Sequence, residues 1–344
     1  MRYQDARLTR HLVQYKRESI RCVHVLKYWA DYTGSLDQPR TDLLRALRRP
    51  EYFFHPQQLW RRARRRSILA RNAVRLAWGL PVELNPDEHL GVDVINVGVH
   101  DIVVPEAIWR LLDPGELAYD IGANIGQNAS IMALRLGREG HVAAFEPGTE
   151  ALRLLAKNTA SWDRYNLSPI TVVPKGLSSR DGVGILHETF ELGGFSLEEQ
   201  QNRPLENPST GTAREIDLIT LDEYAGSGGE IALMKIDVEG HELPVLQGAS
   251  QILSERRVRD ILYEDYQPQP SPVSRHLQSS GYEIGCLYKT WRRPGLAPLD
   301  ERANLPVAEV WLKNFLATRD PARAYERFKP SGWKCLTVRA RLKA

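Results

Sequence analysis

The sequence predicts a doubly wound α/β domain, a mostly parallel sheet with helices on both faces, and three observations carry that prediction. From Leu117 onward, short apolar runs alternate with helical patterns, which is the signature of successive βαβ units. The first run, Leu117-Ala118-Tyr119, leads through Asp120-Ile121-Gly122-Ala123-Asn124-Ile125-Gly126 into a helical pattern carrying Ile131, Leu134 and Leu136. Acidic residues Asp120, Glu146, Asp237 and Glu264 end the first, second, fourth and fifth predicted strands, which is where open α/β sheets bind their ligands.

Taken in order, residues 1–80 read as a helical N-terminal region that is strongly basic, with 18 Lys and Arg against 6 Asp and Glu, whereas the remainder holds 28 against 37. One helix is expected across Leu12 to Trp29, ending near Gly34, and a second after Pro39 with Thr41 as its cap. The third, from Gln57 to Trp78, carries Arg61, Arg62, Arg64, Arg65, Arg66, Arg71 and Arg75. Such a helix suits an anionic membrane surface or an acidic acceptor, or it docks as a plain charge complement on the acidic remainder. Nucleic acid is not expected as a partner, because the further signatures of nucleic-acid modules are missing.

Pro81 to Asn85 marks a domain boundary, and a domain is expected over residues 81–320. It would open with a β-hairpin over the valine- and isoleucine-rich stretch Val92 to Val104, followed by a short helix from Glu106 to Leu112. His141–Glu146, Ile170–Pro174, Ile231–Ile236 and Asp260–Tyr263 are strands two to five, and Val183–Phe190 is an added strand. Leu192 to Ala213, rich in Gly, Asn, Pro, Ser and Gln, reads as a long loop near the cleft. One helix is expected over Glu242 to Leu253, and another starts at Pro272, capped by Ser271 and stopped at Gly281. Tyr282–Leu287 and Val310–Leu316 are the last two strands, and residues 321–344 are a basic C-terminal tail.

No apolar run is long enough to cross a membrane, and the charged N-terminus has no secretory core, so a cytoplasmic protein is expected. Cys22, Cys286 and Cys335 fit neither a zinc site nor a disulfide framework and read as buried thiols.

Strand, glycine-bearing turn and helix together form a nucleotide-binding turn, in which glycines admit the ligand and the helix N-terminus offers free N–H groups. Two residues favour S-adenosylmethionine over a dinucleotide. Asp120 places a carboxylate where an amino-acid ammonium can meet it, and Asn124 stands where a pyrophosphate binder wants glycine. Glu146, at the end of strand two, is placed to accept ribose hydroxyls. The candidate cofactor-binding set is therefore Asp120, Gly122, Asn124, Gly126, Glu146 and Pro147, with Gly176 and Leu177 at the cofactor edge after strand three.

Asp120-Ile-Gly-Ala-Asn-Ile-Gly126, Phe145-Glu-Pro147, Thr220-Leu-Asp-Glu-Tyr224 and Met234-Lys-Ile-Asp-Val-Glu-Gly-His-Glu242, in that order and spacing, resemble the FkbM-type methyltransferases over roughly residues 90 to 318. The resemblance implies a class I methyltransferase fold with an antiparallel last strand. It further implies S-adenosylmethionine as donor and O-methylation of a sugar, glycan or natural product.

Removal of a proton from an acceptor hydroxyl calls for a base. Asp237, Glu239 and His241 crowd the end of strand four, with His241 and Asp237 as the candidate bases. Glu239 and Glu242 could equally cap the following helix, and Asp222 could orient Lys235. No metal is assigned; Asp237, Glu264 and His241 would be its ligands if one were used. Two other functions fit the same layout: an NAD-dependent oxidoreductase, with Tyr325 and Lys329 as its tempting pair, and a non-catalytic binding module.

Overall fold

In the computed structural model the described residues are 50–53, 74–188, 195–199, 212–305 and 312–343, and residues 50–344 make one compact unit. The helices expected before residue 74, with the arginines Arg61 to Arg71, lie outside the described residues apart from a single helical turn at Pro50–Phe53. The end of the third expected helix is described, and it is not helical. Val74–Leu80 forms a tight turn bridged from Arg75 to Pro81, closed by the Leu76 N–H on the Leu80 carbonyl at 2.9 Å. Trp78 and Leu80 are fully buried, and the Trp78 indole donates to Ser130 Oγ at 3.0 Å. A boundary at Pro81 therefore cuts through packed core.

The expected leading β-hairpin is also replaced by helix. Helix α1 (His89–Val97) ends on Gly98, whose φ of +84° closes the last turn, and α2 (Val103–Leu111) follows. The stretch buries Val94, Ile95 and Val97 along one side, so tertiary burial overrides the strand preference of its β-branched residues.

The chain then forms β1 (Leu117–Ile121), α3 (Gln127–Leu136), β2 (His141–Phe145), α4 (Thr149–Trp162) and β3 (Ile170–Val173). Next come β4 (Gly176–Leu177), β5 (Gly182–Glu188), β6 (Phe195–Glu199), β7 (Thr212–Ile219), α5 (Leu221–Ala225) and β8 (Ile231–Ile236). The remainder is α6 (Glu242–Gln247), α7 (Ser250–Ser254), β9 (Val258–Glu264), α8 (Pro272–Ser279), β10 (Glu283–Lys289), β11 (Pro294–Pro298), β12 (Asn314–Thr318), α9 (Pro321–Phe328) and α10 (Lys334–Thr337).

The central sheet runs β11-β10-β12-β9-β8-β1-β2-β3. Strands β9, β8, β1, β2 and β3 are parallel to their neighbours, and β12 is antiparallel to β9, as expected of the last strand. An edge strand the sequence did not announce, β11, folds back antiparallel on β10. Side chains alternate across the sheet. Tyr119 and Ile121 join a core with Val245, Leu246, Ile252, Leu253 and Leu277, whereas α3 packs on β1 and β2 together with α2.

Three further differences have local causes. The helix expected over Glu242–Leu253 is broken into α6 and α7 at Gly248, where a Cβ would lie 2.0 Å from the Ser178 carbonyl oxygen. The long loop from Leu192 to Ala213 contains β6 and the first residues of β7, which complete a second sheet of order β4-β7-β5-β6. Residues 321–344 are not a tail. Arg110 of α2 donates to the carbonyl oxygens of Arg327 (2.8 Å), Pro330 (3.0 Å) and Gly332 (2.8 Å), Glu106 accepts from the Cys335 N–H at 2.9 Å, and Trp333, Cys335 and Leu336 are buried. The Ala340 N–H closes the circuit on the Trp78 carbonyl at 2.9 Å.

Candidate active site

The turn after β1 has the conformation its sequence demands. Gly122, Asn124 and Gly126 all have positive φ (+73°, +49° and +92°). At Gly122 a Cβ would stand 2.0 Å from the Asp237 carbonyl oxygen, so only glycine lets the turn pass the loop after β8. Both Gly122 and Ala123 donate their N–H to the Phe145 carbonyl, at 3.1 and 2.9 Å, which ties the turn to the end of β2.

There the buried Glu146 carboxylate accepts from the Asn124 N–H (Oε2, 2.8 Å) and the Gly148 N–H (Oε1, 2.8 Å). Burial pushes its pKa up to about 7, against these two N–H bonds. Each oxygen keeps a further acceptor site. Pro147 is half-buried beside it.

Asp120 is fully buried, and neither carboxylate oxygen has a hydrogen-bond partner. Lys235 of β8 approaches Asp120 at 3.4 Å and Asp237 at 3.5 Å, and spends its best hydrogen bond on the Gly122 carbonyl at 2.7 Å. Burial raises the Asp120 pKa, only partly opposed by the Lys235 ammonium. Burial works against charge on Asp237, but Lys235, a hydrogen bond with Glu264, and the Lys313 and His100 charges together outweigh it and hold that carboxylate low and ionised.

The other residues expected at the site are dispersed. His241 turns its Nε2 to Ser178 Oγ at 2.9 Å, on the side of β4. Glu239 is exposed on a positive-φ turn. Glu242 accepts from the Val238 and Gly240 N–H groups at 3.2 and 3.1 Å, the capping alternative. Asp222 does not reach Lys235; it caps α7 by accepting from the Gln251 and Ile252 N–H groups at 2.8 and 2.9 Å. Gly176 and Leu177 lie in β4, where Gly176 makes room for Leu218 and Ile216, and Leu177 joins the core.

Glu264, expected at the end of strand five, gathers partners that were not singled out from the sequence. Lys313, just before β12, pairs with Glu264 at the end of β9 and stands 3.7 Å from Asp101. Asn314 donates to Asp101 at 2.8 Å and pairs in register with Glu264. Burial raises the Glu264 pKa, and the Asp237 charge adds to it. One cavity is lined jointly by Lys235, Asp237, Glu264 and Asn314, so these residues belong to one site. Beside Asp101, the His100 Nδ1 donates to Asp93 of α1 at 2.8 Å. The signal that could have found it was the spacing of Asp93 and His100, seven residues apart, but only a helix followed by a turn brings them together. Among the described residues no group of three His, Cys, Asp or Glu has a metal-holding arrangement, and the carboxylates nearest Glu264 already share the Lys313 ammonium.

An acid-lined cleft at the carboxyl ends of the strands, reached by a glycine turn, is a small-molecule site of the kind shared by nucleotide-dependent α/β enzymes. The FkbM methyltransferase domain matches residues 120–284. Over 164 residues the chain is 32% identical to the hexuronic acid methyltransferase AglP of Haloferax volcanii, covering 45% of this chain and 60% of that protein. Over 192 residues it is 30% identical to methyltransferase sdnD of Sordaria araneosa, covering 48% of this chain and 73% of that protein. A SAM-dependent O-methyltransferase from Thermotoga maritima superposes with a TM-score of 0.37 at 14% identity, over 64% of this chain and 66% of that one. The chain belongs to the FkbM methyltransferase family, and its doubly wound sheet with an antiparallel β12 is a class I methyltransferase fold.

Proposed function

We propose that this protein binds S-adenosylmethionine at the Asp120–Gly126 turn and transfers its methyl group to a hydroxyl of a sugar, glycan or natural product. The observation that carries the reading is the fully buried Asp120 carboxylate, which has no close hydrogen bond and shares the Lys235 ammonium, 3.4 Å away, with Asp237. A buried carboxylate so thinly satisfied is costly, and the donor's ammonium group would supply the hydrogen bonds it lacks. Glu146 suits the ribose hydroxyls through its remaining acceptor sites.

The oxidoreductase pair has no support in geometry. Tyr325 lies on α9 beside Glu283, which pairs through Thr318 with Asp260 at the start of β9, the end of the sheet away from the site. Competition of NAD against S-adenosylmethionine in calorimetry should show binding of the latter alone, and tight NAD binding would overturn the donor assignment.

The hydroxyl acceptor rests on the family and on the relative named for hexuronic acid methylation. The experiment is transfer of a labelled methyl group to a panel headed by hexuronic acid glycosides. The basic N-terminal region belongs to this proposal as an aid to turnover of the acceptor. Removing residues 1–80 would strip Trp78 and Leu80 from the core, so the informative truncation keeps the compact unit from Pro50 onward. We expect deletion of 1–49 to lower turnover on the acceptor while donor affinity stays at the full-length value. Full activity in the truncated protein would remove residues 1–49 from the acceptor reaction.

A further inference from the structure

We propose that His100, oriented by Asp93, is the general base that takes the proton from the acceptor hydroxyl. The assignment rests on the reading of the site as a hydroxyl methyltransferase. It accounts for an acid–histidine pair, its acid buried and its imidazole part-exposed, that lies outside the donor turn and outside the family's sequence signatures.

The geometry is that of an oriented imidazole. Asp93, on α1 and buried, accepts from His100 Nδ1 at 2.8 Å, which leaves Nε2 as the unprotonated nitrogen. The His100 side chain is about one-third exposed (30%), and Nε2 has no hydrogen bond among the described residues. The backbone of His100 is clamped twice to Gln127, by its own N–H on Gln127 Oε1 (2.7 Å) and by Gln127 Nε2 on its carbonyl (3.0 Å). Gln127 is the first residue of α3, directly after Gly126, so the imidazole is fixed relative to the donor turn itself. On the other side, Asn314 holds Asp101 at 2.8 Å at the carboxyl end of the sheet, beside Glu264. His100 therefore stands between the donor turn and the Asp237–Glu264 cavity, close enough that its charge steadies the Asp237 carboxylate.

The rival bases are otherwise engaged. The Nε2 of His241 is bonded to Ser178, Asp237 is kept ionised and weakly basic by Lys235, and Glu264 is occupied by Lys313 and Tyr266. Groups facing His100 are Asp93 and His89 from α1, Asp101 in its own loop, Lys313 before β12 and Asp237 after β8. Burial opposes charge on the ring and Lys313 adds to that, but the hydrogen bond and charge of Asp93, with Asp101, outweigh them and raise its pKa above 6.5.

In the transfer step the acceptor oxygen forms a bond to the sulfonium methyl carbon while the carbon–sulfur bond breaks. Its electron pair stays on sulfur, giving the neutral thioether. The hydroxyl proton passes to His100 Nε2, and the resulting imidazolium is balanced by Asp93 until it loses the proton to water.

The test uses the full chain, labelled S-adenosylmethionine and methyl glucoside, which offers hydroxyls and no carboxylate, as hydroxyl probe. We expect His100→Gln to lower kcat by about a hundredfold to ten-thousandfold, with calorimetric affinity for S-adenosylhomocysteine unchanged. The ascending limb of kcat/KM in the wild type should lie above pH 6.5. In Asp93→Asn it should move to lower pH, because the carboxylate that raises the pKa is gone. NMR titration of the His100 ring should show the same two values without any turnover. A pKa at or below 6.5 that ignores Asp93→Asn, or near-full turnover in His100→Gln, would overturn the assignment. Wild-type transfer to nitrogen or carbon acceptors but to no hydroxyl would instead remove the reading beneath it, and the assignment with it.

Discussion

Glu146→Ala is expected to bind S-adenosylmethionine roughly tenfold to a hundredfold more weakly, the worth of about 1.5–3 kcal/mol for hydrogen bonds to a charged acceptor. The loss has two parts. The ribose would lose its acceptor, and the Asn124 and Gly148 N–H groups that Glu146 holds at 2.8 Å would be orphaned. Glu146→Gln separates them by keeping a carbonyl oxygen and removing the charge. With the carboxyl pKa raised from 4.5 to about 7, the native state holds a proton the unfolded chain has lost, so this residue's share of stability declines as pH rises between those values. Donor binding uses the ionised form and should strengthen as pH passes about 7, and Glu146→Gln should flatten that dependence. Calorimetry on both variants across neutral pH reads the outcome, and unchanged affinity in Glu146→Ala would sink the ribose assignment.

The second large effect belongs to Gly122→Ala. At φ +73° an alanine is strained by about 1–3 kcal/mol, and its Cβ would press to 2.0 Å on the Asp237 carbonyl, a backbone atom that cannot swing aside. Overpacking of that kind adds roughly 1–3 kcal/mol. We expect Tm to fall by about 5–10 °C and donor binding to be lost at temperatures where the protein is still folded. A variant that melts and binds like the wild type would mean that the donor lies elsewhere than on this turn.

Much of this architecture was legible because parallel strands buried on both faces read as plain apolar runs. Leu117–Tyr119, Ile231–Ile236 and Asp260–Tyr263 each became a strand with the expected acid at its last residue or next to it. Ser271 and Pro272 likewise start α8 as their capping chemistry requires, with Ser271 Oγ accepting from the Ser274 N–H at 3.1 Å. The failures share a cause in tertiary contact. Valines and isoleucines in α1 suit a strand equally well until burial against the domain chooses helix. In β7 the alternation of exposed Glu215 and Asp217 with buried Ile216 and Leu218 was present in the sequence but hidden behind a polar, proline-bearing stretch. Arginines near the C-terminus suggested a solvated tail, because nothing in their spacing announces the backbone carbonyls and carboxylates that Arg323 and Arg327 bind. At the site, the glycine turn was readable because one segment carries it. The groups gathered around Glu264 were not, because Asp93, His100 and Lys313 come from α1, a loop and the approach to β12.

The closure of residues 327–340 on α2 and on Trp78 bears on the order in which the molecule is made. Residues Leu117 to Glu146 supply the glycine turn, which takes shape on β1, β2 and α3 together with β8, whose Lys235 donates to the Gly122 carbonyl. Helix α2, which carries the loop of His100 to the sheet, waits for the carbonyls of Arg327, Pro330 and Gly332 to emerge and satisfy Arg110. On the ribosome, where domains assemble as the chain emerges, the nucleotide side of the cleft is thus ready first, and the side that would meet the acceptor is locked only by the last residues to leave the tunnel.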